Sequence, residues 1–293
     1  MPPRDILMAL VVVTIWGVNF TVIKLSVAEI PPILVAALRF FFAAVPMIFF
    51  VSRPRARWRL VVGYGLFMGT ALYSLLNIAL YLGMPASLAS LVLQVQAMFT
   101  IGLAFFFLGE TPRRLQIAGA AVAFAGIGVI AAGHGVGAEA LPLAILLLAA
   151  FAWACANTIS KKAGAIPMIP FTVWGNFFAS IPLLGLSLVF EGAPAMIDAL
   201  AAPSWTSVGL VAFLAYPATL FGFAMWSGLL SRHSAATVAP FTLLVPVTGI
   251  ASGVLILGEP IHAADVAGGA LIMTGLVLTV FRIKTRQATA PAA

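Results

Sequence analysis

Apolar stretches of about 20 residues, the length an α-helix needs to cross the hydrocarbon core of a bilayer, follow one another along almost the whole of this 293-residue chain. Ten can be delimited, at 5–25, 32–52, 60–81, 84–108, 113–132, 140–160, 170–190, 205–229, 234–257 and 263–281. The backbone can satisfy its polar groups in hydrocarbon only as helices or as a closed barrel. A barrel would show segments of about ten residues alternating apolar and polar, and no segment here alternates. The expectation is an all-α membrane protein with ten transmembrane helices. Only 8% of positions are charged, too few to cover a water-facing exterior, where about 25% is usual. The first run lacks a small-residue cleavage site and reads as a helix, not a signal peptide. Between the third and fourth spans lies only LGMP, with Gly83 and Pro85 predicting a tight turn.

A net charge of +7 would suggest nucleic acid in a soluble chain, but here the basic residues sit between apolar runs, so they report topology and no nucleic-acid partner is expected. With a cytoplasmic amino terminus, Arg4, Arg53, Arg55, Arg57, Arg59, Arg113, Arg114, Lys161, Lys162, Arg232, Arg282, Lys284 and Arg286 are all inside, leaving only Lys24 and Arg39 elsewhere. Glu29, Glu139, Glu191, Asp198, Glu259 and Asp265 fall outside. The lone Cys155 excludes an intrachain disulfide and reads as a small packed residue.

The chain also repeats itself. FFAAVP at Phe41–Pro46 returns as FFASIP at Phe177–Pro182, and LGE at Leu108–Glu110 returns at Leu257–Glu259, with Gly119 and Gly126 matched by Gly268 and Gly275. The extra residues of the second copy fit a longer loop between Glu191 and Trp205. The expected units are 5–132, 140–281 and a cytoplasmic tail at 282–293. Five helices per half is an odd number, so the second half must enter the membrane from the opposite side. Inverted repeats of this kind underlie many secondary transporters, whose two halves exchange conformations around a midplane site.

Three stretches carry a resemblance: TIWGVNFTVIK at Thr14–Lys24, the Arg39 and Phe40 pair, and LGE followed by Thr111 and Pro112. The second half echoes them with Trp153, Asn157, Lys162 and LGEP at Leu257–Pro260. From Asp5 to Phe281 the chain resembles the EamA family of the drug/metabolite transporter superfamily. Within it, Met84–Ile101 and Ala239–Ser252 are similar to bacterial exporters of cysteine and O-acetylserine or of aromatic amino acids. The resemblance implies a ten-helix inner-membrane exporter of amino acids, with a central cavity between the halves. Nucleotide sugars, purines or drugs are the alternative substrate classes.

Polar groups inside spans are costly unless paired or facing a cavity, so these mark the candidate site. Tyr73, Asn77 and Tyr81 fall on one stripe of the third span. The fourth offers Gln94 and Met98, with Gln96 on nearly the opposite face, so both glutamines are not expected in one cavity. Trp16 and Asn19 share a face of the first span, as Trp153 and Asn157 do in the sixth. Tyr216, Thr219, Phe223 and Trp226 run along the eighth beside Pro217, and Thr242 lies between Pro240 and Pro246 in the ninth. The three prolines are hinge candidates, because each removes an intrahelical hydrogen bond. Arg39 is the one charge well inside a span, with pairing to Glu29 or snorkelling as its plain reading.

No Asp or Glu lies in the middle of a span, so a carboxylate proton switch is not expected. There is no Walker motif, and His134, His233 and His262 fall in loops, so neither a cofactor nor a metal is expected. No catalytic cluster points to an enzyme. The predicted partners are small amino-acid substrates and the lipid bilayer, with the protein acting as a monomer. Neutral amides, phenols and indoles suit a zwitterion whose side chain varies.

Overall fold

The computed structural model describes residues 1–134, 140–164 and 166–280. The predicted tail 282–293, with Arg282, Lys284 and Arg286, and Glu139 lie outside the described residues. Among those described there is helix and no strand. We label the long helices α1 (Pro3–Glu29), α2 (Pro32–Ile48), α3 (Trp58–Tyr81), α4 (Ala86–Leu108), α5 (Arg114–His134), α6 (Ala140–Lys162), α7 (Met168–Phe190), α8 (Trp205–Arg232), α9 (Ala239–Leu257) and α10 (Ala263–Val280). Eight of them are long and apolar enough to cross a membrane, while α2 and α10 are shorter apolar helices. Phe106, Phe107, Val189 and Leu255 all stand more than 70% exposed on the exterior. Side chains of that kind are stable there only against lipid, so this is a multi-pass membrane protein.

Boundaries follow local chemistry. The α3–α4 connection is the tight turn the sequence predicts, with Gly83 at φ +108°, a conformation that costs glycine little. α2 stops at Ile48, short of the expected 52, two residues after Pro46. The stretch 191–205, expected as loop, contains the short helix Ala193–Ala201, entered through Gly192 at φ +87° and opened by Pro194 in its first turn.

The chief contacts are α5 on α10, α3 on α6 and on α7, α2 on α7, α1 on α9 and α6 on α4. Glycine permits the closest approaches. A Cβ at Gly126 would sit 2.5 Å from the Gly268 carbonyl oxygen, and one at Gly268 the same 2.5 Å from the Gly126 oxygen; Gly119 and Gly275 face each other likewise. These small residues let two backbones meet where side chains would hold them apart.

Four segments depart from α geometry. α3 winds as a π-helix over Leu66–Ala71 and α8 over Leu214–Phe221, while α4 tightens to 3₁₀ at Leu93–Val95 and α9 at Ala239–Leu243. Such segments leave carbonyls imperfectly paired and often mark functional sites. Here all four lie beside one cavity.

Candidate functional site

A cavity of about 350 Å³ lies between the helices, walled by α1, α2, α3, α4, α6, α7, α8 and α9. One limit is the group Asn19, Arg39, Tyr73 and Leu76 around mid-depth. The other is Ser160, Met168 and Leu230, which lie at the helix ends on the side of the bundle that carries Met1, here called the near end. The cavity therefore reaches toward the near end.

The far end is tied shut by three carboxylates. Glu191 accepts the amides of Ile33 (2.6 Å) and Leu34 (3.1 Å) at the start of α2, and Glu259 accepts those of Ala86 (2.6 Å) and Ser87 (2.9 Å) at the start of α4. Glu29 accepts the hydroxyls of Ser204 and Ser207. A carboxylate on the free amides of a helix start is doubly favoured, by charge-assisted hydrogen bonds and by the helix dipole. Lys24 adds a bond to the Met84 carbonyl at 2.7 Å. At the near end Glu110 meets Lys161 at 2.6 Å, with both side chains about half exposed. Asp5 pairs there with Arg232 and His233.

Inside, the walls are aromatic and amide. Trp16, Trp153 and Trp226 all line the space, and Trp16 packs against Phe223 and Trp226 with centroids 5.6 and 5.3 Å away. The Trp16 indole N–H is already committed, donating to the Ala218 carbonyl at 3.0 Å, so this ring offers its face. That bond lies in the π segment of α8, whose widened turn leaves a carbonyl free to accept it.

Gln94 and Gln96 both line the cavity, which corrects the expectation that only one could. The 3₁₀ segment at Leu93–Val95 winds with about three residues per turn, which brings residues two apart closer to one face than an α-helix does. Gln96 accepts from Asn157 at 2.7 Å, and Gln94 donates weakly to the Thr242 carbonyl at 3.4 Å. Thr242 lines the wall too.

Of the other predicted residues, Asn19 and Tyr73 border the cavity, whereas Asn77, Tyr81, Met98 and Tyr216 do not. Asn77 is 1% exposed and donates to the Pro32 carbonyl at 2.9 Å, so it binds α3 to the start of α2. Four residues overshoot a turn of about 3.6, so the stripe drifts and Tyr81 ends 61% exposed at the helix terminus. Met98 is buried in the core. Tyr216 is 43% exposed on the exterior, because the wider winding of the π segment rotates it away from Phe223 and Trp226. Of the three prolines, Pro217 lies in that π segment, Pro240 in the 3₁₀ segment of α9, and Pro246 just beyond it.

The residue whose role the sequence reading understated is Arg39. It is 2% exposed, and neither snorkels nor pairs with Glu29. Its Nε donates to Thr219 Oγ1 (2.9 Å) and its Nη1 to Asn19 Oδ1 (3.0 Å), while its guanidinium carbon lies 4.2 Å from the Tyr73 ring centroid. The signal was its uniqueness as a mid-span charge.

Comparison with known proteins fits this architecture. A protein of Escherichia coli K12 called "Probable amino-acid metabolite efflux pump" is 40% identical over 294 residues, covering 98% of each chain, and one of the same name from Salmonella typhimurium LT2 is 40% identical, again over 98% of each. A "Probable terminal-alkyne amino-acid exporter" of Streptantibioticus cattleyicolor is 28% identical over 82% of this chain and 80% of its own. A crystal structure with 19% identity superposes at a TM-score of 0.64 over 95% of this chain and 96% of its own, a likeness of fold. The EamA-like transporter profile matches residues 4–132 and again 141–281. The chain thus belongs to the EamA-like transporter family and is a membrane transporter, not an enzyme.

Proposed function

We propose that this protein exports amino acids and related small metabolites across the bacterial cytoplasmic membrane, by alternating access between two inverted five-helix halves, 5–132 and 140–281. In this reading α2 and α10 also cross, giving ten spans with both termini in the cytoplasm, since all basic residues but Lys24 and Arg39 among the described residues fall at the near end. The inverted pairing is supported by the reciprocal Gly126–Gly268 and Gly119–Gly275 contacts. It is supported further by matched irregularities, π in the third helix of each half and 3₁₀ in the fourth.

The observation that carries the transport cycle is the unequal closure of the two ends. Glu259 sits on the start of α4. Its repeat partner Glu110 would, by the same relation, sit on the turn Ala235–Val238 before α9, but is bonded to Lys161 instead. Moving one carboxylate onto its helix start while releasing the other converts a cytoplasm-open form into an outward-open one. A cavity open to the cytoplasm is the loading state of an exporter. Its aromatic and amide walls suit a small zwitterion with a variable side chain, and the names of the E. coli and Streptantibioticus relatives point the same way.

The test is flux in proteoliposomes with threonine, methionine, cysteine and the aromatic amino acids. Accumulation above protein-free vesicles for at least one of them is expected. Rates equal to protein-free vesicles for all of them would remove the amino-acid reading.

A further inference from the structure

We propose that Arg39 is the receptor for the substrate's carboxylate, and that by holding it on one side of the cavity it sets the orientation in which an amino acid is carried. The proposal rests on the exporter reading above and adds to it a named recognition contact.

A guanidinium stays protonated in any protein environment, so burying Arg39 at 2% exposure carries a desolvation cost that an opposite charge would normally offset. No carboxylate among the described residues pairs with it. Glu29, on the helix before it, is turned to Ser204 and Ser207. Its protein partners are neutral: the Thr219 hydroxyl, the Asn19 amide oxygen and the face of Tyr73. Two of five N–H donors are committed to those oxygens. The side chain is thus held rigidly by three other helices, keeps donors in reserve, and borders the cavity. A fixed planar fork with spare donors is the geometry that receives a carboxylate through two parallel bonds.

The α4 wall of the same cavity is complementary. Gln94 commits only its Nε2, weakly, to the Thr242 carbonyl, which leaves its side-chain oxygen as an acceptor for an ammonium group, and the tryptophans supply ring faces. The repeat position of Arg39 is Gly175, at which a Cβ would already meet the Tyr64 ring at 2.8 Å. Only one half therefore carries the cation, so the bound substrate has one polarity throughout the cycle. Such a site selects acids over amines, and the same cation opposes a cationic ligand.

The test uses ligands that share a phenyl ring and carry the acid, the amine or both. Purified full-length protein is titrated with phenylalanine, 3-phenylpropionate, phenylalanine amide and phenethylamine, with tryptophan fluorescence, to which the three indoles of the cavity contribute, as the readout. The two acids are expected to bind at least tenfold more tightly than the amide and the amine. Arg39→Gln should abolish that preference, and Arg39→Lys, which keeps a cation but not the fork, should retain part of it. The wild-type series needs no variant, so it stands even where Arg39→Gln fails to fold, as judged by gel filtration. Equal binding of acid and amide, an unchanged preference in Arg39→Gln, or a response to neither acid would overturn the assignment. Proteoliposome flux separates the two claims. Amino-acid flux without any acid preference rejects Arg39 alone, while 3-phenylpropionate binding without amino-acid flux rejects the amino-acid reading alone.

Discussion

Glu110 and Glu259 hold the same place in the two LGE triplets yet are bonded differently: Glu259 accepts two backbone amides at the start of α4, and Glu110 meets the side chain of Lys161. The first arrangement closes an end of the bundle, and the second leaves the other end accessible. Removing the charge of Glu259 should therefore destabilise this conformation specifically. Two charge-assisted bonds weakened to neutral ones represent about 1–2 kcal/mol, enough to shift a two-state population about tenfold. In a background lacking Cys155, a cysteine placed at Met84 should react faster with an impermeant maleimide when Glu259→Gln is present, and no faster with Glu110→Gln. Equal reactivity in both variants would show that the two carboxylates do not act as alternating latches.

Asn77 and Trp153 should separate stability from transport. The amide of Asn77 is sealed between α3 and the start of α2, whereas Trp153 borders the cavity. Asn77→Ala removes this bond between α3 and α2, at a cost of about 0.5–1.5 kcal/mol, so its melting temperature should fall while the ranking of substrates is unchanged. Trp153→Ala should alter that ranking and reduce flux at least severalfold. Ranking by competition assay, together with thermal unfolding in detergent, checks both.

What the sequence made legible and what it hid divide along a physical line. Helix positions, the turn at Gly83, and the glycines of α5 and α10 were readable because hydrophobic length and steric smallness act locally. The membership of the cavity wall was readable only where the helix is regular. Trp16, Asn19, Trp153 and Asn157 sit in α segments and fall where periodicity puts them. Tyr216 and the pair Gln94 and Gln96 were misplaced because π and 3₁₀ winding change the angle per residue, and α3 adopts its π segment at Leu66–Ala71 with no proline to announce it. Arg39 was visible as a charge in a span, but its lack of a carboxylate partner is a fact of three dimensions.

The α5–α10 seam offers a sharper test of the two-half arrangement. A Cβ at Gly268 would come 2.5 Å from the Gly126 oxygen, whereas one at Gly128, two residues further along α5, meets nothing within 4 Å. Gly268→Ala should cost about 1–3 kcal/mol by overpacking, lowering the melting temperature by several degrees. Gly128→Ala should be neutral or slightly stabilising, as alanine favours helix over glycine. If both variants melt alike, the seam does not hold the halves together as described.

Thr219 connects the cavity to the π segment of α8. Its hydroxyl donates to the Leu214 carbonyl at 2.8 Å and accepts from Arg39 Nε at 2.9 Å. Thr219→Val keeps the shape but strands one guanidinium donor, so the substrate-free protein should lose about 1–3 kcal/mol. A bound carboxylate can take up the stranded donor. Saturating phenylalanine or methionine should then raise the melting temperature of Thr219→Val by more than it raises that of the wild type. Identical ligand-induced shifts would mean that the substrate does not reach Arg39, and that Thr219 serves only to hold α8 against α2.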